Sequence, residues 1–243
     1  MDMKKERAEL VNYRLSHELW NSITHGLGAL FGVAALILML LKVLDIFVPF
    51  GHHYEPGSTN FTFALVAVLI YGISIMICMT ISCIYHALAK NKGKKVLRIL
   101  DHDMIFLLIA GTYTPFTLIT MRDLPLWGIE SLNFSGWIIF GLVWALIILG
   151  VTMNSINLEK YKILSMAIYV GVGWIIMLNC VEFFHAISSA GFFLLLAGGV
   201  AYTIGAVLYG LGKKKSLWFH TVFHFFVLAG VVLHFLSIYL FVL

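Results

Sequence analysis

Residues 217–243 have the sequence LWFHTVFHFFVLAGVVLHFLSIYLFVL, in which no Asp, Glu, Lys or Arg interrupts the apolar side chains. An α-helix rises ~1.5 Å per residue, so about 20 apolar residues cross the ~30 Å hydrocarbon core of a bilayer. This stretch therefore predicts a membrane-spanning helix. The whole chain agrees, because 61% of its 243 residues are hydrophobic and only 12% are charged, whereas soluble domains are about one quarter charged.

Six further apolar runs of similar length precede this one. Together they predict an all-α integral membrane protein, with a short cytoplasmic segment at residues 1–20 and a single bundle of seven transmembrane helices at residues 21–243. The break between the fifth and sixth runs, around residues 185–191, is placed there because the two runs together are far too long for one crossing. The predicted spans are Asn21–Leu44, Phe61–Ala89, Ile99–Ile119, Phe134–Met153, Ile163–Phe184, Ala186–Leu211 and Leu217–Leu243.

Basic residues set the predicted orientation, because cytoplasmic loops carry an excess of Lys and Arg. The alternation places the N-terminus in the cytoplasm and the C-terminus outside, as in a multi-pass protein of a plasma membrane. The net charge of +4 then reflects topology and contact with anionic lipid headgroups, and nucleic acid is not an expected partner. The basic residues assigned to the cytoplasmic side are Lys4, Lys5, Arg7, Arg14, Lys90, Lys92, Lys94, Lys95, Arg98, Lys160, Lys162, Lys213, Lys214 and Lys215, against Lys42 and Arg122 on the other side.

Polar side chains inside membrane spans are costly and usually face the bundle interior, so each is a functional candidate. His86 stands four residues before Lys90, at the predicted cytoplasmic end of the second span, and Ser82 lies one turn away on the same face. His220 and His224 open the seventh span at the same end, and their i, i+4 spacing directs both rings to one side. Candidates for the mouth of this site, at the same level, are Glu18, Asn21, His25 and His102.

Three imidazoles from two helices resemble the arrangement of catalytic zinc, which has three protein ligands and a fourth position open to water. Asp101, at a similar depth in the third span, could hold or deprotonate that water. The same spacing and depth are compatible with a proton relay or with a hydrogen-bonded polar cluster. A Zn²⁺ cofactor is therefore one of three interpretations of these residues.

Four other ionisable residues receive weaker functional predictions. His234 follows His224 by ten residues, which places it ~15 Å deeper and ~80° around the helix, so it is not expected to join the same site. Glu182 and His185 are predicted to lie at the outer interface. Asp103 is expected to face the cytoplasmic rim, away from the site.

The ordered set of motifs is more specific than any one of them. They are Glu18-x-x-Asn21-x-x-Thr24-His25, Ser82-x-x-x-His86, Leu100-Asp101 followed by Gly111 and Pro115, and His220-x-x-x-His224. Through them nearly the whole chain resembles the hemolysin III branch of the progestin and adipoQ receptor family, which is related to alkaline ceramidases. The resemblance implies seven helices with the N-terminus inside and zinc bound by His86, His220 and His224, with Asp101 contacting the zinc-bound water and Ser82 beside the site.

The leading functional hypothesis is a zinc-dependent hydrolase that cleaves an amide or ester bond of a membrane lipid held in the bundle. Asp101 would act as general base, and Ser82 would orient water or support the developing oxyanion. A pore-forming, cytolytic membrane protein is the first alternative. The second is a receptor or sensor that responds to lipid or pH and in which zinc is structural.

Overall fold

The computed structural model describes residues 10–46 and 52–243, with the side chains of residues 213–215 excepted. This part of the chain is helical apart from loops and one isolated bridge between Leu126 and Ile129, which confirms the all-α membrane class. Lys4, Lys5 and Arg7, which contributed to the predicted orientation, lie outside the described residues. The α-helices are α1 (Leu15–Val43), α2 (Thr59–Ala87), α3 (Lys92–Pro115), α4 (Ser135–Gly173), α5 (Cys180–Ala186), α6 (Ser189–Lys215) and α7 (Trp218–Phe241).

Six stretches of the described chain are long and apolar enough to cross a membrane. One of them, Ser135–Ala186, has 52 residues, which at ~1.5 Å per residue is more than twice the thickness of a hydrocarbon core. Asn157 interrupts α4 with a non-helical φ of −160° and ψ of 95°. This break falls between the predicted fourth and fifth spans, while the count of seven crossings and the orientation stay predictions.

Side-chain caps explain where three of the helices begin. Ser58 Oγ accepts a hydrogen bond from Phe61 N at the start of α2, and Asn91 Oδ1 accepts one from Lys94 N at the start of α3. Ser188 Oγ does the same for Gly191 N at the start of α6. Such caps satisfy backbone donors that have no partner within the helix. The cap at Ser188 follows the end of α5 and places the break between these helices where the sequence predicts it.

The predicted fifth span is not one continuous helix, so that expectation is wrong. α4 ends at Gly173, and a short 3₁₀ segment, Ile175–Asn179, separates it from α5. The Tyr113 hydroxyl of α3 explains the interruption: it donates to Val172 O at 2.7 Å and accepts from Ile176 N at 3.1 Å. In a continuous α-helix these two backbone groups would form a hydrogen bond with each other. A side-chain hydroxyl inserted between them therefore interrupts the helix.

Pro115 ends α3, and the chain continues as a π-helical turn, Phe116–Thr120. Proline has no N–H to bond the carbonyl four residues earlier, so a change of helix type at this point is expected. Thr112 and Thr114 donate to the carbonyls of Leu108 and Ala110.

Small residues bring the first three helices close together. A Cβ added at Gly28 of α1 would lie 2.8 Å from Met79 Sδ of α2, and one at Gly111 of α3 would overlap the Ser74 side chain. Larger side chains would push the helices apart, as is typical of helix contacts in membranes.

The start of α1, the α2–α3 connection and the start of α7 lie together at one end of the bundle. This end is called the basic end, because these segments hold many of the Lys and Arg residues predicted for the cytoplasmic side.

Candidate metal centre

Three imidazoles meet at the basic end. His86 lies near the end of α2, and His220 and His224 lie in the first two turns of α7. His220 Nε2 is 3.4 Å from His86 Nε2 and 3.1 Å from His224 Nε2, and all three rings are buried. One ligand atom from each residue lies within 4.8 Å of the others. The predicted convergence is observed, and these three residues are the only His, Cys, Asp or Glu grouping of this kind across residues 10–46 and 52–243.

The two nitrogen–nitrogen distances at His220 are close to those between ligand atoms that share one metal ion. Tetrahedral zinc with Zn–N bonds of ~2.0–2.1 Å places its ligand atoms ~3.3 Å apart. A hydrogen bond between two Nε2 atoms requires an N–H on one and a lone pair on the other. His220 Nε2 has two such neighbours and can satisfy only one of them. Three neutral imidazoles in this arrangement could instead direct their lone pairs at one ion.

Glu18, predicted for the mouth of the site, contacts His86 directly. Its Oε2 lies 2.6 Å from His86 Nδ1, and its Oε1 accepts a hydrogen bond from Lys94 Nζ at 2.7 Å. Asn21, also predicted there, is fully buried one turn further along α1, with its side-chain nitrogen 3.4 Å from His86 Nδ1. The start of α1 therefore packs against the side of His86 that faces away from His220.

His25 lies beside the triad without belonging to it. Its ring contacts that of His224 with a centroid separation of 3.9 Å and an interplanar angle of 34°. Both of its ring nitrogens are buried and have no hydrogen-bond partner among the described residues. His25 also lines the cavity described below, and its assignment to the mouth of the site stays a prediction.

Tyr13 covers the triad from the side of the N-terminal segment. Its ring stacks on His220 at 5.1 Å with an interplanar angle of 24°, and it meets His86 edge-on at 5.9 Å. Asn12, the preceding residue, accepts a hydrogen bond from Lys90 of the α2–α3 connection. Burial raises the pKa of the Tyr13 phenol above its usual range, so the hydroxyl is neutral at physiological pH. The sequence pattern gave no signal for Tyr13, because it precedes the first predicted span.

A cavity of about 140 Å³ opens beside His224 and is lined by residues of α1, α2, α3, α4, α6 and α7. Its wall is mostly apolar, and it is several times larger than the space one water molecule needs. The residues predicted to be catalytic, Asp101 and Ser82, line it together with His224. His234 lines it as well. The sequence argument had separated His234 from the site, and the structure places it away from the metal ligands but on the same cavity.

His102 forms part of the cavity wall at its basic end. Its Nδ1 lies 2.9 Å from the carbonyl oxygen of Arg98, so Nδ1 carries the hydrogen in the neutral ring. Nε2 then accepts a hydrogen bond from the Tyr209 hydroxyl at 3.0 Å. With both nitrogens engaged in these contacts, His102 is a residue of the cavity wall.

The remaining ionisable candidates lie elsewhere. Asp103 is buried, with its Oδ2 accepting a hydrogen bond from Ser155 of α4 at 3.1 Å, so the prediction that it faces the rim is wrong. The reason is that α3 packs against α4 at this level. Glu182 and His185 belong to α5 and are partly or fully exposed. His234 Nε2 donates to Leu195 O at 3.0 Å.

The helices and the triad define the class: an α-helical, multi-span membrane protein with three buried imidazoles at one end of an internal cavity. The chain belongs to the haemolysin-III related family, whose model matches residues 13–235. It is 34% identical to Hemolysin-3 of Bacillus cereus over 229 residues, which covers 94% of this chain and 93% of that protein. It is 31% identical to the Hemolysin-3 homolog of Bacillus subtilis (strain 168) over 218 residues, covering 90% and 91%.

Family membership fits the location that the sequence predicts. Both relatives come from bacteria and match almost end to end, and the described chain contains several helices of membrane-spanning length. The protein is therefore a multi-pass protein of a bacterial cell membrane. The resemblance noted from the motifs is confirmed at the level of the haemolysin III family.

Proposed function

We propose that this protein is a zinc-dependent hydrolase that cleaves an amide or ester bond of a membrane lipid. One observation carries the proposal: His224 of the histidine triad lines a mostly apolar cavity that Asp101 and Ser82 also line. Three histidine ligands leave the fourth zinc position open, as in catalytic sites. An apolar cavity within a membrane protein suits the hydrocarbon part of a lipid.

His86, His220 and His224 would hold the metal. Zinc bound in this way polarises a carbonyl group and lowers the pKa of water to ~7. Asp101 accepts a proton from the attacking water as the water oxygen bonds to the carbonyl carbon. The Ser82 hydroxyl donates a hydrogen bond to the carbonyl oxygen as negative charge develops there. Asp101 then returns its proton to the leaving nitrogen or oxygen as the C–N or C–O bond breaks.

Turnover by purified protein tests this proposal. The full chain, loaded with Zn²⁺ in detergent, is incubated with an N-acyl sphingoid amide or an acyl-ester lipid, and released fatty acid is measured by mass spectrometry. We expect release that depends on zinc and that Asp101→Asn slows by ~10²–10⁴-fold. The proposal fails if the zinc-loaded protein releases no fatty acid from either lipid while an alkaline ceramidase does so under identical conditions.

The names of the relatives favour a second candidate function, a pore-forming protein that lyses cells. A pore needs a continuous polar lining, however, and the cavity wall is mostly apolar. Conductance across planar bilayers separates the two candidates. A hydrolase gives no channel events, whereas a pore former conducts with or without zinc.

A further inference from the structure

The Glu18 carboxylate links three helices at the basic end. From α1 it reaches His86 of α2 through Oε2 at 2.6 Å and Lys94 of α3 through Oε1 at 2.7 Å. The side chains of His86 and Lys94 are 0% and 3% exposed, and that of Glu18 is 15% exposed. Each carboxylate oxygen therefore has its own partner in a largely water-free position.

Lys94 is itself held in place. Its Nζ also donates to the carbonyl oxygen of Leu88 at 2.8 Å, and it lies 5.2 Å from the centre of the Tyr85 ring. Its backbone N–H donates to Asn91, which caps α3. Because an ammonium group can only donate, the Glu18 oxygen that faces Lys94 must act as an acceptor.

The second oxygen sets the state of His86. An ionised carboxylate can only accept, so His86 Nδ1 must carry the hydrogen and, in the neutral ring, Nε2 must be the bare nitrogen. Nε2 is the atom that faces His220. By contrast, Nδ1 of His220 and Nδ1 of His224 have no hydrogen-bond partner among the described residues. Of the three rings, His86 is the one that a carboxylate orients.

We infer that Glu18 is a positioning residue that selects the metal-binding tautomer and orientation of His86, and that Lys94 acts through Glu18 by fixing which way the carboxylate turns. The inference rests on metal binding by the triad, which is part of the proposed function. Carboxylates that orient a histidine ligand typically contribute 10–100-fold in metal affinity. Glu18 would do this from a helix that supplies no ligand to the triad.

The substitution Glu18→Gln tests the inference directly, because an amide has one donor end and one acceptor end. Lys94 needs an acceptor, so the amide oxygen of Gln turns towards Lys94 and the amide N–H₂ turns towards His86 Nδ1. That arrangement favours the opposite tautomer, with the hydrogen on Nε2 where the metal would bind. Replacing Lys94 by Met in the same chain frees the amide to turn its oxygen back to His86. The double variant should then bind metal more tightly than Glu18→Gln alone.

The experiment is a Zn²⁺ competition titration against a chromophoric chelator, with the full chain in detergent. We expect Glu18→Gln to lose roughly 10–100-fold in zinc affinity and Glu18→Gln/Lys94→Met to recover part of that loss. Glu159→Gln is the matched control, because Glu159 also pairs with a buried cation, Arg98, at 2.5 Å. It should bind zinc like the wild type.

Three outcomes of the titration overturn the inference. If Glu18→Gln binds zinc with wild-type affinity, Glu18 does not position His86. If the double variant binds zinc no more tightly than Glu18→Gln, Lys94 does not act through Glu18. In both cases the proposed hydrolase stands. Absence of zinc binding by the wild type removes both. A measurement without any variant covers the case in which Glu18→Gln does not fold: ¹⁵N-histidine NMR of the metal-free wild type should show the Nδ1–H tautomer for His86, and the Nε2–H tautomer contradicts the inference.

Discussion

Tyr13 lies face to face with His220, at a centroid separation of 5.1 Å and an interplanar angle of 24°. A residue that precedes the first helix thus covers two of the three triad rings, those of His220 and His86. We expect Tyr13→Ala to speed zinc release to excess chelator several-fold, because the ring no longer shields the ligands. Tyr13→Phe keeps the stacked ring and should release zinc at the wild-type rate. Equal rates for the Ala and wild-type proteins, measured by stopped flow, would show that Tyr13 does not shield the metal.

The metal ligands can be tested by metal content. The double variant His86→Ala/His224→Ala leaves one imidazole of the three and should contain essentially no zinc by inductively coupled plasma mass spectrometry. His234→Ala is the matched control, because His234 lies on α7 and lines the same cavity but bonds Leu195 O. It should retain one zinc per chain. A folded double variant that keeps its zinc would rule out this assignment.

Substitution of Asp101 should distinguish metal binding from catalysis of lipid hydrolysis. Asp101→Asn preserves the size of the side chain but removes its capacity to accept a proton. We expect zinc content to stay near the wild-type value while the rate of lipid hydrolysis falls by ~10²–10⁴-fold, the usual contribution of a general base. Loss of zinc together with activity would instead assign Asp101 to holding the metal.

Removal of zinc should lower the thermal stability of the bundle, because the triad joins α2 to α7. A ligand at 100 times its dissociation constant stabilises the folded state by about 2.7 kcal/mol. We therefore expect chelation to lower the melting temperature by several degrees without unfolding the protein at 25 °C. Unfolding on chelation would favour the sensor hypothesis, in which the metal is structural.

The Tyr113 hydroxyl should stabilise the interruption between α4 and α5, because it bonds two backbone groups there. Tyr113→Phe leaves Val172 O and Ile176 N without their partner in a buried setting, at a cost of about 1–3 kcal/mol in unfolding free energy. Tyr71→Phe is the matched control, because Tyr71 is equally buried but its hydroxyl contact with Val231 O is long, at 3.5 Å. Denaturation in mixed micelles should show the larger loss for Tyr113→Phe.

The sequence predicted the parts of the site that obey a local rule. Helical periodicity and distance from charged loop residues placed His86, His220 and His224 at one level, and the structure brings the three rings together. Hydrophobic run length likewise located α1, α2, α6 and α7 to within a few residues, although α1 begins at Leu15, earlier than its predicted span.

What the sequence missed depends on contacts between distant segments. Asp103 was assigned to the rim because its partner, Ser155, lies on another helix that no periodicity connects to it. The Tyr113 hydroxyl interrupts a helix that is far from it in the chain. Lys94 was counted only as a topological charge, although it is buried and bonds Glu18. In each case a tertiary contact determines the position of the residue, and the local sequence pattern does not show that contact.

Trp174 offers an optical signal for what enters the cavity. It is the only one of the protein's six tryptophans that lines the cavity, where its indole N–H donates to Thr203 Oγ1 at 3.1 Å. Four of the others, Trp20, Trp127, Trp137 and Trp218, are exposed. Fluorescence from this indole can thus be quenched from inside the protein by a brominated acyl chain, and a Trp174→Phe chain supplies the background emission from the other five. Occupancy of the interior becomes measurable in intact membranes before any product has formed.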